Sequence, residues 1–405
     1  MRADVVVIGG GPAGNYAAGR LAASGLSVTV LEEHRVIGEP RFCTGILGAR
    51  AFEDYPLPRR AIQGALRSAT IYSPSGRSVR IARPTPQAYI MDRARFDQLL
   101  AEEANGRGAR YRLGSRAVGL EAGPREVRIE VQHGGRRQII RADCCLLATG
   151  SNRRLHAMAG LAAPPRYLDC VQAEFAARAC GEVEVFVGQS VAPGSFGWAA
   201  PVARDRVRIG VCVMGSALSY FHRLIASPRL AERLGEPVSP IRKRRVPIAP
   251  VARSVADRVL LVGDAAGQVK PLTGGGIYYS IVCADLAARA VAGAAADGDF
   301  SARRLGGYER EWRALIGRNL TVSRYTRRLL AWSSDEQFDA LVELFQADEV
   351  QALLARHADF DAHHHFFAAL FRLPSFWTTI ARRIARGAPP PSVPEPMVSA
   401  PAVPS

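Results

Sequence analysis

The amino-acid sequence predicts an α/β protein: a parallel-sheet domain of Rossmann type, interrupted by an antiparallel sheet and followed by a helical C-terminal segment. Three observations carry this reading. Short, fully apolar runs at Val5–Ile8, Cys144–Ala148 and Val259–Val262 have the character of strands buried on both faces. Residues 167–214 switch to apolar alternation, the mark of half-buried strands. Residues 301–387 carry helical signals and none for a strand.

In order along the chain, Val5–Ile8 is the first strand. A glycine-rich turn leads into a helix from about Pro12 to Ser24, and Leu26–Leu31 is a second strand ending at Glu32, which completes a βαβ unit. Residues 66–81 read as a hairpin around Ser73-Pro74-Ser75-Gly76, and Arg93–Gly106 as a helix. Val127, Ile129 and Val131 alternate with polar residues, His133-Gly134-Gly135 turns, and the chain returns to the buried strand Cys144–Ala148. Val183, Val185 and Val187, and then Val207, Ile209, Val211 and Val213, predict an antiparallel sheet with one covered face. Val259–Val262 precedes an alanine-rich helix from about Gly275 to Ala296. Residues 388–405, rich in Pro, Ser, Val and Ala, read as a flexible tail.

Composition narrows the class. Over 405 residues, 48% are apolar and 22% charged, with a mean hydropathy of −0.01. These values suit a folded globular chain and exclude a collagen-like repeat, a mostly disordered chain and a polytopic membrane protein. The net charge is +16, and lysine occurs only at Lys243 and Lys270, so arginine carries the excess. That charge concerns partners rather than fold. No arginine run has the interleaved aromatics of an RNA-binding segment, and no nucleic-acid partner is expected. Seven cysteines without a C-x-x-C pair argue against a disulfide scaffold, a zinc site and a dithiol motif, so reduced thiols in the cytosol are expected. The first strand follows the initial Met so closely that no signal peptide is expected.

Two constellations carry chemistry. The first is Gly9-Gly10-Gly11-Pro12-Ala13-Gly14, a G-x-G-x-x-G between strand and helix. Gly9 permits the tight turn, Gly11 lets backbone approach a pyrophosphate, and Gly14 lets the helix lie close on the strand. The phosphates then sit at a helix N-terminus, where free N–H groups favour anions. Glu32, eighteen residues after Gly14, can accept hydrogen bonds from both ribose hydroxyls of an adenosine.

The second is the strand end Val262-Gly263-Asp264-Ala265, followed by Pro271-Leu272-Thr273-Gly274-Gly275-Gly276-Ile277 at the start of the long helix. An Asp there can bind ribityl hydroxyls, and the glycine-rich helix start can present N–H groups to the N1–C2=O edge of a flavin. The pair of constellations selects FAD over NAD.

With Asp92-Arg93-x-x-Phe96-Asp97 and Ala148-Thr149-Gly150 between them, these motifs resemble the FAD-dependent oxidoreductases of the para-hydroxybenzoate hydroxylase fold. Within that group the chain is most similar to the geranylgeranyl reductase family, on Cys43-Thr44-Gly45, Phe196-Gly197-Trp198-Ala199-Ala200-Pro201 and Pro271–Tyr278. Ala200 stands where the family commonly has an aromatic residue. The resemblance covers roughly residues 3–385. It implies a Rossmann-type FAD-binding domain (residues 1–65, 90–165 and 255–298), an inserted antiparallel-sheet substrate domain (66–89 and 166–254) and a helical C-terminal domain (299–387). It further implies a noncovalent FAD that reduces isolated C=C bonds of a prenyl chain, hydride leaving flavin N5 while a second group protonates the alkene. Gly9, Gly11, Pro12, Ala13, Gly14, Glu32, Arg93, Gly150, Gly263, Asp264, Gly274, Gly275, Gly276 and Ile277 are the implied cofactor residues. Cys43, Trp198 and Tyr278 are the candidates on the reacting side.

The alternative on the same fold is an FAD-dependent monooxygenase acting on an aromatic or polyketide. No second G-x-G-x-x-G is present, so electrons are expected from NAD(P)H docking transiently or from a ferredoxin. The substrate is expected to be a prenylated lipid or prenyl pyrophosphate, and the location cytoplasmic with peripheral membrane contact. The basic amphipathic stretch from Phe366 to Arg386 reads first as helices packed on the body, with docking on an anionic membrane as the alternative. His363-His364-His365 does not make a metal site, because neighbours on a helix diverge, and no metal is expected. The run Ile241-Arg242-Lys243-Arg244-Arg245 reads as a solvated loop, with a phosphate contact as the alternative.

Overall fold

A computed structural model describes residues 1–177, 181–203 and 205–378. Its largest parallel array has the strand order Val259–Leu261, Arg136–Leu147, Arg2–Ile8, Val28–Leu31, Arg110–Arg112, with Val255–Ala256 antiparallel at one edge. The first strand of the chain therefore lies in the middle, with the second strand on one side and a much later one on the other. That is a topological switch point, where open α/β sheets bind ligands beyond the carboxyl ends of their strands.

Register makes this concrete. Ile8 pairs with both Leu31 and Leu147, and Leu147 pairs with Leu261. The residues that follow each strand, Gly9, Glu32, Ala148 and Val262, are thus brought to one edge. Val5 and Val7 pack with helices Pro12–Ala23 and Ile277–Asp297 on one face, and Val6 and Ile8 with Ile129 and Ile140 on the other. Full apolarity of the run is explained by a cover on both sides: helices on one, the hairpin Val127–His133/Arg136–Leu147 on the other. Helix Ile277–Asp297 has the length and hydropathy of a membrane span, but 61% of that window is buried, and it serves as a core helix.

The second sheet runs Leu234–Pro237, Tyr167–Ala177, Arg206–Val213, Phe196–Ala203, Val183–Val187, Ser68–Tyr72, Ser78–Ala82. The last two strands are the hairpin anticipated over 66–81. A small third sheet joins Ile46–Gly48, Ala88–Met91 and Ile62–Leu66.

Three readings are corrected. The second sheet is covered on both faces, not one. Val207, Ile209, Val211 and Val213 pack under helix Leu218–Ile225 with Phe221, while Cys212, Trp198 and Ala200 form a separate cluster on the opposite side. The basic run is a strand, not a loop: Arg242–Pro247 pairs antiparallel with Tyr167–Gln172. Alternation puts Arg244 and Lys243 on different faces, yet both border the main cavity at the sheet edge.

The thiols are also not all reduced. Cys170 and Cys212 are directly opposite each other on antiparallel strands, with Cα atoms 4.2 Å apart, and form a disulfide. Their separation of 42 residues hides this pairing from any spacing rule. Among the described residues, Cys43, Cys144, Cys145 and Cys283 are free. The helical C-terminal segment is Ala302–Trp332, Asp335–Gln346, Asp348–His357 and His364–Leu370. The tail 388–405 and the basic end of the amphipathic stretch lie outside the described residues.

Candidate active site

The glycine turn is built by close approach. Gly9 has φ +113°, and a Cβ there would lie 2.3 Å from the Ala148 carbonyl oxygen. A Cβ on Gly14 would lie 1.9 Å from the Gly9 carbonyl oxygen, whereas one on Gly11 would meet open space. Gly14 is thus required for packing and Gly11 faces the cleft. Pro12 and Ala13 begin the helix, whose first-turn N–H groups point at the cleft with no acidic side chain among them. The turn is held by Asn15, a residue the motif does not announce. Its Nδ2 donates to Gly10 O at 2.9 Å and Asp97 O at 3.0 Å, and its Oδ1 accepts from Tyr111 at 3.0 Å. Glu32 accepts from Gly10 N at 2.7 Å and from His34 N at 2.9 Å, which fixes its carboxylate over the turn.

Arg93 opens helix Arg93–Gly106, capped by Asp92, and donates to Asp97 at 2.6 Å. Both line the cavity. Burial pushes the Asp97 carboxyl up against the pull of the Arg93 guanidinium. Arg93 Nε and Asp97 Oδ1 are buried with no hydrogen-bond partner among the described residues.

Gly263 turns at φ +71° and its N–H donates to Gln268, which is braced through Tyr308 to the Leu261 carbonyl. Asp264 follows, with Arg244 at 3.5 Å. Gly276 caps helix Ile277–Asp297, two residues later than anticipated, because Gly274 sits at φ +68°.

One cavity of about 640 Å³ is bordered by all the implied cofactor residues except Gly14 and Gly263, which act from beneath it by packing and turning. Gly150 is on its rim, where Arg244 also approaches. Cys43, Trp198 and Tyr278 border it too. Two arginine hydrogen bonds hold the Cys43 loop: Arg208, paired with Glu174, donates to Cys43 O at 2.9 Å and Thr44 O at 2.7 Å. Trp198 is buried against Gly210, and its indole N–H has no partner among the described residues. The Tyr278 hydroxyl donates to Asp54 at 2.5 Å, and burial pushes its pKa up.

Other residues at the cavity went unread in the sequence. Phe360 and Asp361 reach it from the C-terminal segment, and Asp361 pairs there with Lys270. Both of the chain's lysines border this one cavity, a signal available only as rarity. Of the three adjacent histidines, none joins a metal-type cluster among the described residues.

A flavin adenine dinucleotide fits these residues: an unpartnered buried guanidinium nitrogen, open space over Gly11 and two helix starts share one elongated cleft. Comparison with known proteins agrees. Residues 3–191 match the pyridine nucleotide-disulphide oxidoreductase family. The chain is an FAD-dependent oxidoreductase. It is 31% identical over 353 residues to digeranylgeranylglycerophospholipid reductase of Methanocaldococcus jannaschii, covering 84% of this chain and 90% of the relative. It is 33% identical over 373 residues to digeranylgeranylglycerophospholipid reductase 2 of Methanothermobacter thermautotrophicus, covering 87% and 94%.

A solved geranylgeranyl bacteriochlorophyll reductase-like protein from Thermoplasma acidophilum has the same fold, with a TM-score of 0.83 over 95% of this chain and 99% of the other at 23% identity. The p-nitrophenol 4-monooxygenase of Pseudomonas putida aligns at 0.69 over 89% and 98%, with 17% identity. The chain belongs to the geranylgeranyl reductase family of FAD-dependent oxidoreductases.

Proposed function

We propose that this protein reduces carbon–carbon double bonds in the prenyl chain of a lipid or prenyl pyrophosphate. One observation carries the reading: Phe42, Ile46, Val183, Val185, Phe196 and Trp198 line the cavity and belong to one apolar cluster. Such a lining suits a hydrocarbon chain and offers little to a polar aromatic ring. The family relatives are named for reducing a geranylgeranylated glycerophospholipid, which supports the same substrate class.

Gly9, Gly11, Pro12 and Ala13 would hold the pyrophosphate, Glu32 the adenosine ribose, and Arg93, Gly150 and Asp264 the middle of the cofactor. Gly274–Ile277 would present N–H groups to the ring end. Bound there, reduced FAD supplies the hydride equivalent. The chain's own part is to bury the alkene, exclude water and provide a proton. We assign the proton to Cys43, whose loop is clamped by Arg208. Tyr278 has committed its proton to Asp54, and the Trp198 indole N–H is no acid at neutral pH, so both shape the pocket. Electrons arrive from NAD(P)H docking transiently or from a ferredoxin, and anaerobic bleaching of the flavin by each distinguishes them. The protein works at the cytoplasmic face of a membrane.

The test is to reduce the purified flavoprotein anaerobically and offer geranylgeranyl-bearing lipids. A gain of two hydrogens per double bond supports the reading. An oxygen-dependent gain of one oxygen atom identifies a monooxygenase instead.

A further inference from the structure

The described part of the C-terminal amphipathic stretch does not supply a free apolar face, since Phe366, Leu370 and Phe376 are buried together with Val350 and Leu354. A different surface does. On helix Ala302–Trp332, residues 315, 318, 322, 325, 329 and 332 follow spacings of three and four and share an arc of about 100°. Leu315, Tyr325, Leu329 and Trp332 are 63%, 57%, 53% and 44% exposed. Val322 is half-buried between them. No Asp or Glu occurs from residue 312 to 334, and Arg318, Arg324 and Arg328 are exposed on this side with no ion pair among the described residues. The Arg324 guanidinium lies 5.8 Å from the Tyr325 ring and that of Arg328 5.4 Å from the Trp332 ring.

We propose that this outer face of helix Ala302–Trp332 docks on an anionic lipid surface. The proposal deepens the prenyl-lipid reading by naming the surface through which the enzyme meets its substrate's phase. The charge selects the occupant. A second copy laid on the same stripe would set arginine against arginine, whereas anionic headgroups neutralise Arg318, Arg324 and Arg328 while the apolar stripe enters the interface. The inner face of the same helix braces the segments that form the cavity wall. Arg327 donates to Pro271 O at 3.2 Å, beside the Gly274 turn, and Asn319 donates to Asp361 O at 2.8 Å. A helix lying flat on lipid therefore brings the cavity wall with it.

The test uses the full-length flavoprotein and vesicles of phosphatidylglycerol with phosphatidylcholine, containing no prenyl substrate. The wild type co-sediments with these at low salt and not with pure phosphatidylcholine. Tyr325→Ser/Leu329→Gln/Trp332→Ser and Arg318→Glu/Arg324→Glu/Arg328→Glu each weaken binding at least tenfold, with flavin content and turnover of detergent-dispersed geranylgeranyl lipid unchanged. Wild type left in the supernatant, or variants that bind as tightly as wild type, overturn the proposal. So does a wild-type dimer that the apolar variant turns into a monomer, which assigns the stripe to a second copy, or tighter binding of single-stranded RNA than of vesicles. Turnover in detergent reads the prenyl-reduction assignment by itself, so the two failures are separable.

Discussion

Lys270 Nζ lies 2.7 Å from Asp361 Oδ1, and both side chains are 3% exposed. The lysine lies between the two parts of the second FAD constellation, directly before Pro271, and the aspartate comes from the C-terminal segment, so one ion pair pins that segment to the cavity. Lys270 also donates to Phe360 O at 2.9 Å, and Asp361 O accepts from Tyr279 at 2.9 Å and from Asn319. Removing one partner leaves the other charge buried and alone, a loss of about 3–5 kcal/mol. Lys270→Met and Asp361→Leu should each lower the urea midpoint strongly, and the double variant should recover much of the loss. A loss in the double variant equal to the sum of the two single losses would show that the pair contributes nothing as a pair.

Cofactor retention should depend on the two strand ends separately. Gly14→Ala drives a Cβ into the Gly9 carbonyl and should yield colourless protein. Asp264→Ala removes a charged acceptor worth about 1.5–3 kcal/mol, and its dissociation constant for FAD, measured by flavin fluorescence, should rise roughly ten- to a hundredfold. Unchanged flavin content in both variants contradicts the assigned cleft.

The Cys170–Cys212 disulfide closes a loop of 42 residues. On chain-entropy grounds that is worth up to about 4 kcal/mol. Cys170→Ser/Cys212→Ser should melt well below wild type, and reductant should lower the wild-type midpoint while leaving the variant's in place.

Acid should destabilise the C-terminal segment through His363. Its Nδ1 is buried without a partner among the described residues, and burial, then the nearby Lys270 charge, lowers its pKa to about 3. Between there and the ordinary value of about 6.5 the unfolded chain binds a proton that the native state refuses, so stability rises with pH across this window and is lost on acidification. The residue as a whole is half-buried, and the loss from pH 7 to pH 5 is about 1–2 kcal/mol. His363→Leu should flatten the profile measured by urea unfolding.

Tyr278→Phe tests which group carries the proton. With the hydroxyl bound to Asp54, its loss should reduce kcat less than threefold, whereas Cys43→Ala should reduce it by about 10²–10⁴. The reverse ordering assigns the proton to Tyr278.

Much of the site was readable because its chemistry is local. The turn from Gly9 to Gly14 needs glycine for reasons of backbone geometry within six residues, and Glu32 follows at the end of the next strand. The start of helix Ile277–Asp297 was displaced by two residues, since the positive φ of Gly274 delays it. The covered second face of the inserted sheet was missed because alternation reports polarity along one strand, and Gly210 and Ala200 hide a packed face in small residues. Arg208 and Glu174 were unreadable for another reason: their alternation looks solvent-facing, and only the Cys43 loop laid across them makes the pair interior.

The amino-acid sequence by itself determined the nucleotide-binding unit, the second glycine-rich anchor and the class of cofactor, since each depends on residues adjacent in the chain whose backbone demands are met by few residue types. Only the tertiary structure decided that Lys270 meets Asp361, that Cys170 bonds to Cys212, and that the arginines of helix Ala302–Trp332 share an outer face with an apolar stripe. Those relationships rest on strand register, helix packing and burial across dozens of residues, and no short stretch of sequence encodes a distance between its own distant parts.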